Sequence, residues 1–166
     1  MLSRNRNEAL AGVLVGIACL LPNLINVFFP PTQHVVDTSD ENLVLTAAEW
    51  ITRIIVIFYP AIRGVRLYRD TDRTKAVKAF VFNMVASLII TTVIWIFYVI
   101  DGRDYAFLFY PFGGFFIPLV FLPSFYYLNL GLYMKSKLMT SAAVIFMLCH
   151  NIISYHTWLK IAGVLT

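Results

Sequence analysis

Charged residues are scarce in this chain. Asp, Glu, Lys and Arg together make up 13% of its 166 residues, which is about half the usual share in a soluble domain. Hydrophobic residues make up 60%, and the mean hydropathy is +0.76. This composition excludes a disordered chain, a nucleic-acid-binding domain and an ordinary soluble enzyme, because each of these needs more polar surface. The apolar residues lie in long runs, which predicts a membrane protein that crosses the bilayer several times.

Cysteines and catalytic motifs are equally scarce. The two cysteines, Cys19 and Cys149, both lie within apolar runs, so the sequence predicts neither a disulfide framework nor a zinc site. It lacks the hydrolase nucleophile elbow, the paired-histidine zinc motif, the phosphate-binding loop and the dinucleotide-binding fingerprint. We therefore expect no cofactor and no metal, and an enzyme is the less favoured interpretation.

Five apolar segments of the chain are each long enough to cross a lipid bilayer. A hydrocarbon core about 30 Å thick requires about 20 residues of helix. Because backbone groups in a bilayer must be hydrogen-bonded within their own segment, these segments are predicted to be α-helices. The predicted fold is all-α, with one transmembrane domain over residues 1–166. Its five helices are expected at residues 9–29, 43–62, 79–100, 105–133 and 139–159.

The distribution of basic residues predicts the orientation of the bundle. Ten of the 13 basic residues lie in three segments: two before the first span, six between the second and third, and two between the fourth and fifth. The loop after the first span has three acidic residues and no basic one. By the positive-inside rule, the basic segments are cytoplasmic. We expect a multi-pass protein of the plasma (inner) membrane, with its N-terminus in the cytoplasm and its C-terminus outside.

The fourth apolar segment is the least regular of the five. It contains Pro111, Pro118 and Pro123 together with the pair Gly113-Gly114. Each proline removes a backbone hydrogen bond from a helix. The segment is therefore predicted to be a kinked or broken helix. In the first alternative it packs against its neighbours, and in the second its freed backbone groups line a cavity, as in transporters.

Glu49 and Arg53 are the most informative pair of charged residues. They are one helical turn apart and so share a face of the second predicted helix. Arg53 lies ten residues into that span, or about 15 Å deep, close to the bilayer centre. A charged side chain costs about 2.5–3.5 kcal/mol there, which makes it a functional-site hypothesis. The alternative is a structural ion pair that fixes the packing of the helix.

Other polar residues within the predicted spans are concentrated in the outer half of the bundle. His150 and Ser154 share one face of the fifth helix because they are four residues apart. We predict a ligand-binding pocket open to the outside and lined by Asn23, Asn26, Glu49, Arg53, His150 and Ser154. For each asparagine and serine the alternative is a hydrogen bond between helices, and for His150 it is a core position.

Gly12 and Gly16 form a small-residue motif in the first predicted helix. Two glycines four residues apart allow the backbone of another helix to approach closely. The sequence leaves open whether that helix belongs to this chain or to a partner.

Three hypotheses for the function agree with these observations. In the first, the protein binds or transports a polar or anionic small molecule, with Arg53 supplying the charge. Five helices are few for an alternating-access transporter, so this hypothesis implies a homodimer or a partner membrane subunit. In the second, the protein is a non-catalytic accessory or immunity-type subunit of a larger membrane complex. In the third, it is an intramembrane enzyme that acts on a lipid. The expected partners include the lipid bilayer and exclude nucleic acid.

Overall fold

The computed structural model of the protein describes residues 6–32, 42–66 and 74–164. These residues are 78% helical and form no strand. By length and composition, three of their helices, α3, α4 and α7, are apolar and long enough to cross a membrane. In chain order the helices are α1 (Arg6–Ala18), α2 (Leu24–Phe28), α3 (Leu43–Arg63), α4 (Lys75–Ile100), α5 (Tyr105–Phe109), α6 (Pro118–Tyr133) and α7 (Lys137–Ile161).

The first apolar segment forms two helices, which corrects the expectation of one continuous helix over residues 9–29. Helix α1 ends at Ala18, five residues of turn follow, and α2 begins at Leu24. Pro22 lies in this turn, and a proline lacks the N–H group that a continuing helix needs. Backbone hydrogen bonds between residues three apart close the turn instead.

The fourth apolar segment is broken rather than kinked. It is divided between α5 and α6, and α6 begins only at Pro118. In the break, Gly113 and Gly114 have positive φ angles of 64° and 90°, a conformation that glycine adopts more easily than other residues. The N–H of Phe112 donates a hydrogen bond of 2.6 Å to the carbonyl of Phe116. The glycine pair therefore makes a tight turn before the chain re-enters the bundle.

Helix α6 is the centre of the bundle. Nine of its 16 residues are buried, and it packs against both α4 and α7. It also reaches α1 through two hydroxyl groups. Tyr126 donates to the carbonyl of Val15 at 2.7 Å, and Tyr127 donates to the carbonyl of Gly16 at 2.9 Å. A buried hydroxyl is costly unless it is hydrogen-bonded, so these two bonds help to fix the orientation of α6 against α1.

The small-residue motif of α1 packs against α3 of the same chain. A Cβ atom added at Gly12 would lie 2.0 Å from the carbonyl oxygen of Pro60, and one added at Gly16 would lie 2.7 Å from that of Ile57. Both distances are shorter than van der Waals contact. The two helices therefore run antiparallel at a separation that only glycine permits at these two positions.

Contacts between chain segments define two ends of the bundle. At one end the N–H of Val65 donates to the carbonyl of Glu8 at 2.9 Å. At the opposite end the hydroxyl of Thr32 donates to the carbonyl of Gly102 at 3.2 Å. We call the first the basic end, because it carries the described basic residues Arg6, Arg63, Arg66, Lys75, Lys78, Lys135 and Lys137.

Candidate functional site

Glu49, Arg53 and His150 form a cluster at the contact between α3 and α7. The Oε1 atom of Glu49 accepts a hydrogen bond from Nη2 of Arg53, and it lies 2.8 Å from Nδ1 of His150. Glu49 is 5% exposed. One buried carboxylate oxygen therefore joins a cation on its own helix to an imidazole on the facing helix.

Two aromatic rings hold the cluster in place. The guanidinium of Arg53 lies 5.0 Å from the ring centre of Trp50 and 5.6 Å from that of Phe146. The ring of Phe146 also stacks on His150, with centres 5.2 Å apart and planes at 11°. Phe146 and His150 are four residues apart on α7, so the helical repeat places them together. A cation above an aromatic face is attracted to the electron-rich ring.

The cluster is incompletely enclosed. The side chain of Arg53 is 32% exposed and that of His150 is 26% exposed. A guanidinium has five N–H donors, yet Glu49 is the one hydrogen-bond partner of Arg53 within the described parts of the chain. The Nε2 atom of His150 has no hydrogen-bond partner among these residues. Within the described residues, donors of Arg53 and one ring nitrogen of His150 are therefore left without a hydrogen-bond partner.

The charge of the cluster depends on the protonation of His150. Glu49 and Arg53 compensate each other when both are ionised. A neutral imidazole leaves the cluster without net charge, whereas a protonated one makes it positive. The arrangement thus presents N–H donors of Arg53 and a ring nitrogen of His150 on one side of a buried carboxylate.

The other three residues of the predicted pocket lie outside this cluster. The Oδ1 atom of Asn23 accepts a hydrogen bond of 3.0 Å from Nε1 of Trp95 on α4. Asn26 is exposed on α2. Ser154 is buried one turn beyond His150 on α7. Three of the six predicted residues are therefore in direct contact, and the hydrogen bond of Asn23 is directed to another helix.

Asn151 is an important residue that the predicted pocket omits. Its side-chain oxygen accepts a hydrogen bond of 3.2 Å from the N–H of Ile117, and its side-chain nitrogen donates one of 3.1 Å to the carbonyl of Phe115. These two backbone groups belong to the broken segment before α6. Because they lie outside the helix, they have no partner in its hydrogen-bond pattern. The sequence signal that could have identified Asn151 is an amide side chain directly after His150 within an apolar run.

The described residues also line cavities elsewhere in the bundle, two of them with volumes above 400 Å³. One of about 480 Å³ lies at the opposite end, where Asp101, Asp104, Phe107 and Tyr110 contribute to its lining. The other, of about 410 Å³, lies between α1 and α4. Neither is lined by a residue of the α3–α7 cluster.

The described residues contain no group of three or more His, Cys, Asp or Glu side chains arranged to hold a metal ion. The Nδ2 atom of Asn83 on α4 donates a hydrogen bond of 3.0 Å to Oδ1 of Asn129 on α6. Comparison of the chain with protein families, with curated proteins and with solved structures finds no match.

Proposed function

We propose that the protein crosses a plasma (inner) membrane five times, with its N-terminus in the cytoplasm and its C-terminus outside. Three helices have the length of complete spans. The two broken segments, α1 with α2 and α5 with α6, would supply the others. Contacts at the two ends of the bundle support this count. At one end Glu8 of α1 contacts Val65, which follows α3. At the other end Thr32, which follows α2, contacts Gly102, which follows α4. The positive-inside rule then orients the basic end towards the cytoplasm.

We further propose that the protein binds or transports a polar or anionic small molecule at the cluster of Glu49, Arg53 and His150. The observation that carries this proposal is the open face of Arg53, which is 32% exposed and hydrogen-bonded within the described chain to Glu49 alone. Unbonded donors of a guanidinium are costly in the apolar part of a membrane. An anionic or strongly polar ligand would satisfy them with charge-assisted hydrogen bonds.

Each residue of the cluster would have a distinct role. Arg53 would contact the negative charge of the ligand. Glu49 would orient the guanidinium through its hydrogen bond, and its own charge would keep the empty site neutral. His150 would offer Nε2 to the ligand, as an acceptor when neutral and as a donor when protonated.

The remaining predicted residues would line the route to this site. Ser154 lies on the same helix face as His150 and one turn closer to the end of α7. Asn23 and Asn26 lie on the segment that leads from α1 towards the opposite end. In this proposal the three residues line a passage from the outside to Arg53.

A thermal-shift screen of the detergent-purified full chain against polar metabolites, organic anions and lipids tests the proposal. We expect a compound that stabilises the wild type but neither Glu49→Gln nor Arg53→Ala. The matched control is Arg63→Ala, which removes an exposed arginine from the same helix and should leave the compound's thermal shift unchanged.

Arg53→Lys keeps the positive charge but loses the planar guanidinium with its paired donors, so it should weaken the thermal shift. A shift that persists in Arg53→Ala, or a wild type that no compound stabilises, contradicts the proposal.

One observation favours a second function, that of an accessory or immunity-type subunit in a larger membrane complex. Beside Arg53, α3 exposes Trp50, Ile51 and Ile54, and a partner helix there would supply an acceptor to the guanidinium. Against this, the close-packing surface of α1 is already occupied by α3. In this alternative, Arg53→Ala would abolish co-purification of a membrane partner without changing the response to any small molecule.

A further inference from the structure

A groove of about 410 Å³ runs between α1 and α4, and α6 forms its floor. Its walls include Leu14 and Ala18 of α1 and Val81, Val85 and Leu88 of α4. These side chains carry no polar atoms. The groove therefore offers an apolar lining between two helices of the bundle.

The floor of the groove also presents mainly hydrocarbon, although Tyr126 and Tyr133 contribute to it. The hydroxyl of Tyr126 donates to the carbonyl of Val15 at 2.7 Å, and that of Tyr133 donates to the carbonyl of Arg66 at 2.8 Å. Because both hydroxyls donate their protons to backbone oxygens, the two tyrosines present mainly their rings to the groove. An occupant therefore gains by burying hydrocarbon there.

One end of the groove carries positive charge. Lys78, Val81, Val85 and Leu88 follow one another at helical spacing and so form one stripe of α4. The last three line the groove, and Lys78 is exposed one turn nearer the basic end. The lining residue Val65 lies at the same end and is followed directly by Arg66.

We propose that this groove binds an acyl chain of an anionic phospholipid, whose headgroup contacts Lys78. Basic pockets between membrane helices on the cytoplasmic side recognise anionic headgroups. From Val81 to Leu88 the groove extends about 10 Å. The apolar lining matches the chemistry of a hydrocarbon chain, and the exposed Lys78 beside it matches that of an anionic headgroup.

Native mass spectrometry of the detergent-solubilised full chain tests this assignment. The protein is titrated with phosphatidylglycerol and, separately, with phosphatidylcholine of the same acyl chains. We expect the wild type to retain phosphatidylglycerol preferentially. Val85→Trp, which fills the groove, should weaken retention of both lipids at least fivefold. Lys78→Gln should weaken retention of phosphatidylglycerol about fivefold, the effect of one charge near the surface, and leave that of phosphatidylcholine unchanged.

Two matched controls distinguish this site from general lipid adsorption. Val93→Trp makes the same change at an exposed valine of α4 that does not line the groove. Lys137→Gln removes a charge at the basic end from α7. Both should behave as the wild type. Equal losses in Val85→Trp and Val93→Trp, or in Lys78→Gln and Lys137→Gln, would overturn the proposal. So would a Val85→Trp variant that changes from dimer to monomer with unaltered lipid retention, since the groove would then be an interface between copies.

Discussion

Glu49 and His150 are joined by a hydrogen bond of 2.8 Å across the contact between α3 and α7. The oxygen that accepts it also binds Arg53. A single buried atom therefore connects two helices and holds a cation near the middle of an apolar helix. Because Arg53 and His150 both contact the same carboxylate, the cluster should respond to mutation as a unit.

The first prediction is energetic coupling between Glu49 and His150. A double-mutant cycle with Glu49→Gln and His150→Ala should give a coupling free energy of about 1 kcal/mol or more, since hydrogen bonds to charged groups are strong. Unfolding in mixtures of detergent and denaturant measures this coupling free energy.

His156→Ala is the control, because it removes a histidine of the same helix that does not touch Glu49. Its coupling should stay within about 0.5 kcal/mol. Equal coupling for both histidines would disprove the specific contact.

The second prediction concerns the contact of α1 with α3. Gly12→Ala places a Cβ 2.0 Å from a backbone oxygen of Pro60, so the helices must separate. We expect a loss of about 1–3 kcal/mol in the free energy of unfolding, as for other overpacked interiors. Val13→Leu also adds one carbon, but at an exposed position of the same helix, and should have little effect. If Gly12→Ala is as stable as Val13→Leu, this helix contact is not as close as described.

The third prediction concerns the amide that holds the broken segment. Asn151→Ala leaves the N–H of Ile117 and the carbonyl of Phe115 without their partner, which should cost about 1–3 kcal/mol. Chymotrypsin should also cleave the aromatic segment between α5 and α6 faster in this variant. Asn26→Ala removes an exposed asparagine and serves as the control. Unchanged cleavage and stability in Asn151→Ala would show that the break is held by other contacts.

The fourth prediction tests the number of spans. In the proposed topology, a cysteine in place of Asp101 reacts with a membrane-impermeant maleimide in intact cells, whereas one in place of Lys137 reacts only after permeabilisation. Both positions are exposed, while Cys19 and Cys149 are buried and should give little background. If only α3, α4 and α7 crossed the membrane, both positions would lie on the same side. Equal labelling at Asp101→Cys and Lys137→Cys would therefore reject the five-span arrangement.

Local features of the sequence predicted part of the cluster and part of the helix breaks. The spacing of Glu49 and Arg53 is sufficient to pair them, because side chains four residues apart meet on any helix. The glycine pair and the prolines around it indicated the interruption before α6. The interruption at Pro22 could not be predicted in the same way, since an isolated proline also occurs within continuous membrane helices.

By itself, the sequence determined that the chain is helical and apolar, which residues share a helix face, and that its basic residues concentrate in a few segments. These properties follow from composition and the helical repeat, which act over a few residues. The tertiary structure decided which faces meet. In it, Gly12 and Gly16 pack against α3, and Asn23 accepts a hydrogen bond from Trp95. His150 contacts the same carboxylate oxygen as Arg53. Such choices depend on how whole helices pack and on satisfying every buried polar group at once, so no local pattern specifies them.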